Sequence, residues 1–227
     1  ECNFKIEGYP LPFRGPDIAV LINSRPEATI LTYSHAAFTV RQIIFAPVDE
    51  PGIIVLLDVQ TVLPMTVTIS FRPRLKLAWP AGLQTGDLSW DEKLHAYFIT
   101  EESKRFVGMI GSPAARDVSV MPYQEEPRDV PVQFTVEASA DALKSHFIPI
   151  VISGGVEGKD KAKATYQQLL ASIPALYEKN VAYYQRLQTE TTSINTPDER
   201  LNRAFQWAKV GTDKGVATNP FLGTGLV

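Results

Sequence analysis

Cysteine is almost missing from this chain of 227 residues. The single thiol, Cys2, excludes an internal disulfide and any multi-cysteine metal cage, and it fits either redox compartment. Placed at a terminus expected to be mobile, it is also a poor nucleophile. Histidine is scarce too. His35, His95 and His146 have neither close spacing nor an accompanying acidic pattern, so they read as packed or exposed strand residues rather than metal ligands. Long apolar runs are lacking: "IIVLL" at 53 and "IPIVI" at 148 fall far short of the roughly 20 residues a membrane-spanning helix needs. No excess of one charge exists either. With 22 basic and 25 acidic residues, and the cations scattered apart from "KDKAK" at 159–163, nothing gathers a polyanion, and nucleic acid is not an expected partner. The chain opens on Glu1 with no charged-then-apolar leader pattern, so a processed or excised boundary is expected there and location stays open.

Signature loops are missing as well. "SGGVEGKDK" at 153 has glycines and a lysine but lacks the phosphate-loop spacing and the hydroxyl residue after the lysine, and reads as a sheet-to-helix linker. "GTGLV" at 223 follows no strand, and no serine sits in a G-x-S-x-G elbow. No catalytic residue, metal ligand or cofactor site is assigned.

What is present is a hydrophobic fraction of 44%, enough for a buried core, arranged with two different periods. From 28 to about 153 the period is two. Strands are expected near 29–34, 38–46, 52–62, 65–79, 94–100, 104–111, 117–121, 131–138 and 145–153, separated by turns rich in proline, glycine and aspartate. No helical pattern lies between them, so antiparallel pairing is expected. "IIVLLDVQ" at 53 is apolar on both parities, as a strand covered on both faces would be, which implies two stacked sheets.

The stretch "MTVTISFRPRLKLAW" at 65–79 alternates throughout and carries Pro73 in its interior. Because proline cannot donate to a ladder, an edge position or a bulge is expected there. Its polar parity includes Arg72, Arg74 and Lys76. These form either a solvated face that discourages edge aggregation or a contact surface for an acidic partner domain or ligand.

After Gly158 the period becomes helical. Tyr166, Leu169, Leu170, Ile173, Tyr177, Val181, Tyr184 and Leu187 make one stripe. Pro174 either kinks that helix, or Ser172 ends one helix and caps the next. "TPDE" at 196 predicts Thr196 as N-cap, Pro197 at N1 and Glu199 at N3, opening a helix over 197–214 with Gly215 as its stop. Leu201, Ala204, Phe205, Ala208 and Val210 give that helix a partly apolar face. "VATNPFLGTGLV" then reads as a loop in a chain that is cut off.

Glycoside hydrolysis needs two carboxyl groups facing each other across a bond. The acidic pairs Asp49-Glu50, Asp91-Glu92, Glu101-Glu102 and Glu125-Glu126 are adjacent in sequence, so they read as solvated turns. Trp90 and Tyr97 are the candidate carbohydrate contacts, as rings on which a sugar face could stack; Trp79 shares the apolar parity of its strand and reads as core.

"NTPDERLNRAFQWAKVGTDKGV" at 195, preceded by "ATYQQLLASIPALYEKNVAYYQRLQ" at 164, resembles the passage from N-terminal sandwich to helical toroid in bacterial glycogen-debranching-enzyme-like proteins of the amylo-alpha-1,6-glucosidase group. The resemblance implies a mainly β fold with C-terminal helices: an antiparallel two-sheet β-supersandwich (1–155), linker helices (156–194) and the first helix of a truncated (α/α) toroid (195–227). It implies that the acid and base carboxylates belong to the toroid beyond this chain, so none is assigned here and the chain alone is expected to be inactive. Expected partners are the C-terminal toroid of the same parent chain and carbohydrate. Arg72, Arg74 and Lys76 are then candidate domain-interface residues. Three classes of function remain open: a non-catalytic domain of a glycoside hydrolase, an independent carbohydrate-binding module, and a structural or assembly domain.

Overall fold

In the computed structural model, residues 1–73, 75, 85–120, 130–140, 146–219 and 223–226 are described. The chain runs β1 (Cys2–Ile6), β2 (Phe13–Arg14), α1 (Gly15–Ile18), β3 (Ala19–Ser24), β4 (Thr29–His35), β5 (Phe38–Phe45), β6 (Gly52–Thr61), β7 (Met65–Phe71), β8 (Thr85–Asp91), β9 (Ala96–Glu101), β10 (Val107–Gly111), β11 (Val132–Ala138) and β12 (His146–Gly155). Helices α2 (Lys159–Ala171), α3 (Ile173–Thr189) and α4 (Glu199–Lys214) follow, then β13 (Val216–Asn219) and β14 (Gly223–Leu226).

The strands pair antiparallel into a four-stranded sheet, β11-β7-β1-β2, and an eight-stranded sheet, β3-β4-β5-β6-β12-β10-β9-β8; β13 and β14 form a separate hairpin. Period-two alternation packs the two larger sheets face to face. Phe4, Val67 and Phe134 from the smaller sheet and Val40, Leu57 and Val59 from the larger one are wholly buried in the same cluster. β6 is covered on both faces, as its unbroken apolar run predicts. Val55, Leu57 and Val59 point into the sandwich, while Ile54 joins a second core formed with Met109, Val151, Tyr166 and Leu169 beneath α2.

Several expectations about individual strands change. β7 stops at Phe71, where its partner β11 begins (Val132 opposite Phe71), so the expected strand over 65–79 is seven residues long where described. Lying between β1 and β11, it is neither an edge nor bulged. Pro73 is buried just past its end, where no ladder bond is lost. No strand forms over 117–120; Arg116 makes only an isolated bridge to Thr135. Cys2 is held rather than mobile. It sits in β1 opposite Ile69, 9% exposed, with the terminal amine donating to the Ser70 carbonyl at 2.6 Å.

The helical half separates at Ser172, with Pro174 in the first turn of α3, where its missing N–H costs nothing. The Ser172 side chain makes no cap bond; its N–H instead donates to the Leu169 carbonyl. Asp198, rather than Thr196, caps α4 by accepting from the Arg200 N–H at 2.8 Å. Thr196 exchanges bonds with Asn202, whose Oδ1 accepts from the Thr196 N–H and whose Nδ2 donates back to the Thr196 carbonyl. Residues 216–219 and 223–226, expected as part of a loop, pair antiparallel as β13 and β14.

Candidate functional site

Trp90 on β8 and Tyr97 on β9 do come together, directly opposite in the ladder, with ring centroids 4.8 Å apart and planes at 65°. Both lean into the sandwich. Tyr97 is 2% exposed, and its hydroxyl donates to the Ser119 and Gln133 carbonyls at 2.7 and 3.1 Å. That geometry makes Tyr97 a core residue with a satisfied polar tip, with no open ring face to offer a sugar. Trp90 is half-buried against the same core. Arg72 is exposed one residue beyond β7, while Arg74, Lys76 and Trp79 lie outside the described residues.

The acidic residues expected in solvated turns have more specific work. Glu101 is 1% exposed, and it draws together the turn that follows β9. Its carboxylate accepts from the Ser103 hydroxyl and N–H at 2.5 and 2.6 Å, and from the Arg105 and Phe106 N–H groups at 2.8 and 3.1 Å. The Ser103 hydroxyl, helped by those amides against the opposing effect of burial, holds the carboxyl at about 2 instead of 4.5. Asp91 accepts from the Lys93 and Leu94 N–H groups, Asp49 pairs with Lys179, and Glu50 accepts from Gln168 at 2.7 Å. Asp58, absent from those adjacent pairs, is 1% exposed on β6 and pairs with Arg41 across the ladder. Glu125 and Glu126 lie outside the described residues.

His35 and His95 have no acidic partner among the described residues. His35 stacks on Phe13 with centroids 4.3 Å apart, and His95 sets Nδ1 3.2 Å from the Ala115 carbonyl; the backbone of His146 opens β12. Among the described residues no group of His, Cys, Asp and Glu side chains could hold a metal ion.

Where the β body meets the helices, a cleft of about 640 Å³ is lined by Arg25, Glu27, Asp49, Tyr183, Asp213 and Lys214, among others. Its helical wall is fixed by Asn180, 1% exposed on α3. The Asn180 Oδ1 accepts from the Val48 N–H at 3.0 Å and its Nδ2 donates to the Ala46 carbonyl at 2.7 Å, tying the helix to the β5–β6 loop. Tyr183 on α3 donates to Asp213 on α4 at 2.6 Å, and that bond to a carboxylate pushes the phenol up to about 12. Lys214 donates to the Pro26 carbonyl at 3.1 Å and lies over the Tyr184 ring at 5.3 Å. The cleft therefore mixes cations, carboxylates, a phenol and a ring, a lining that suits hydrogen bonding to a polar, uncharged molecule or to another domain. Within it, Asp49 pairs with Lys179 and Asp213 accepts from Tyr183.

Sequence reasoning missed Asn180, though a signal was present: it interrupts the apolar stripe between Tyr177 and Tyr184. Nothing in sequence links Tyr183 to Asp213. Their contact depends on how α3 and α4 cross. Beside the cleft, an apolar groove of about 560 Å³ runs between Ile43, Leu56, Phe147 and Pro149 on the larger sheet and Ile173 and Tyr177 on α3.

No protein-family model matches the chain, and no curated protein matches it in sequence. Solved structures do match in fold. A protein of the human microbiome assigned as a kojibiose phosphorylase aligns with a TM-score of 0.65 over 96% of this chain, at 8% identity. A bacterial glucoamylase, solved with acarbose, aligns with a TM-score of 0.51 over 81%, at 10% identity. The chain spans about a third of each of those chains, 31% in both cases. At such identities the likeness is one of fold: a two-sheet antiparallel sandwich followed by helices, found within larger carbohydrate-processing enzymes. Neither neighbour is described as a debranching enzyme.

Proposed function

We propose that this chain is the N-terminal, non-catalytic part of a larger carbohydrate-active enzyme of the glycoside hydrolase or phosphorylase kind. In that reading it supports and shapes an active site carried by a helical toroid of the same parent chain. The observation that carries it is the alignment of 96% of this chain with under a third of the phosphorylase. The division into a sandwich over 1–155, linker helices over 156–194 and the opening of a toroid over 195–227 belongs to the same proposal. It is supported by α4, which buries Val210 yet leaves Leu201 and Trp207 50% and 41% exposed, as a helix awaiting further helices would. A non-catalytic role is supported by the carboxylates of Asp49, Asp91, Glu101 and Asp213, each engaged by the fold's own donors. A substrate among α-glucans or related oligosaccharides, as in glycogen debranching, is the finer form of the proposal.

The test compares the 227-residue chain with the polypeptide encoded by its full reading frame, on branched and linear glucans and disaccharides, with and without phosphate. Glycosidic turnover is expected only from the longer polypeptide; turnover by the shorter one overturns the reading. Saturable glucan binding by the short chain that is lost in Trp90→Ala would instead make it an independent binding module.

A further inference from the structure

We propose that β3 is a self-association surface, through which a second copy of this chain pairs antiparallel and joins the two eight-stranded sheets edge to edge. This inference does not rest on the function proposed above.

Exposed sheet edges are templates for pairing, and proteins blunt them with charge, proline, bulges, shortness or a covering segment. Among the described residues, three of the four edges of the two larger sheets are managed in this way. β8 carries Gly86, Asp87 and Asp91 and is bulged between Thr85 and Asp87. β2 is two residues long, and β11 is covered by backbone bonds from Arg116 and Ser119 to Thr135 and Gln133.

β3 is different. Its sequence, Ala-Val-Leu-Ile-Asn-Ser, has no charge and no proline, and every residue is exposed, with Val20, Leu21 and Ile22 at 63%, 57% and 65%. Its one irregularity falls between Ala19 and Leu21, leaving Leu21–Ser24 in regular register with β4. Among the described residues, β4 is the only element bonded to its backbone.

The charges at its ends select the occupant. Asp17 precedes β3 and Arg25 follows it, both exposed and neither ion-paired among the described residues. A two-fold antiparallel pairing through the regular stretch Leu21–Ser24 lays the N-terminal end of one β3 by the C-terminal end of the other, which brings the end that carries Asp17, in the helical turn just before β3, toward the other copy's Arg25. Parallel pairing would oppose like charges. Such an interface is isologous and closes at two copies, because the far edge at β8 is defended. Its area is that of one short strand and three aliphatic side chains, so a dissociation constant on the order of 10–100 µM is expected.

Sedimentation velocity of the purified chain from about 1 to about 300 µM should show a concentration-dependent dimer. Asp17→Arg and Arg25→Asp should each weaken it about tenfold, by replacing two attractive contacts with two repulsive ones, and the double exchange should restore it. Ile22→Lys should abolish it with an unchanged circular dichroism spectrum. Since the charged residues are exposed, the exchange series reads out association even if Ile22→Lys perturbs folding. A monomer across the whole range, a dimer indifferent to Ile22→Lys, or a double exchange that fails to restore association would each overturn the proposal.

Discussion

Replacing Asn180 by alanine removes a buried amide that ties α3 to the β body. Its two short bonds are lost, from the Val48 N–H at 3.0 Å and to the Ala46 carbonyl at 2.7 Å, together with a long one to the Glu27 carbonyl at 3.5 Å, at a side chain 1% exposed. If water re-satisfied both backbone groups the cost would be about 1 kcal/mol per bond; left dry, each group costs about 1–3 kcal/mol. Ala46 is exposed and Val48 half-buried, which places the total near the middle, at about 3 kcal/mol. For a chain of this size that corresponds to a fall of roughly 6–12 °C in the thermal midpoint. Asn180→Asp keeps an acceptor for Val48 but sets a carboxylate oxygen against the Ala46 carbonyl. It should be at least as unstable as the alanine variant at neutral pH and recover on acidification, since protonation restores a donor. The assay is thermal unfolding followed by circular dichroism, with hydrogen exchange at the Val48 amide as a local readout. A midpoint within about 1 °C of the parent, together with an unchanged Val48 exchange rate, would refute the claim that Asn180 anchors the helix.

Glu101→Gln should flatten the acid limb of the stability profile. The native carboxyl is held at about 2 against an ordinary 4.5, so its contribution is present above 4.5 and is lost as pH falls toward 2. Urea midpoints measured across that window should converge for parent and variant at the acid end, and parallel curves would contradict the assignment. Leu169→Ala, at a fully buried position where α2 meets the larger sheet, should cost about 2–5 kcal/mol by equilibrium denaturation. A loss below about 1 kcal/mol would mean that α2 is not packed there as described.

Much of the architecture was legible because it follows from local periodicity. Alternation along β5, β6 and β11 marks one buried parity, and the doubled parity of 53–57 reports that β6 has neighbours on both faces. The helical stripe from Tyr166 to Tyr184 survives folding, with Tyr166, Leu169, Ile173 and Tyr184 all buried. β3 was overlooked because its apolar residues have no buried face to alternate against. β1 was overlooked because a terminus was expected to be loose, whereas pairing with β7 holds it.

The candidate sites were less legible because they depend on contacts between residues distant in the chain. Tyr97 and Trp90 look alike as exposed aromatics in sequence. Only the second sheet makes Tyr97 a core residue, through carbonyls contributed by Ser119 and Gln133. Glu101 looks like half of an acidic turn pair until the turn folds back and aims three amides and a hydroxyl at its carboxylate.

Composition and period, which act over a few neighbouring residues, determined that this chain is an antiparallel sandwich joined to helices. Which edge stays open, which carboxylates are spent on the fold, and that Asn180, Tyr183 and Asp213 share one cleft were decided only in three dimensions, since burial and hydrogen-bond partners come from segments more than a hundred residues apart for Asn180 and about thirty for Tyr183.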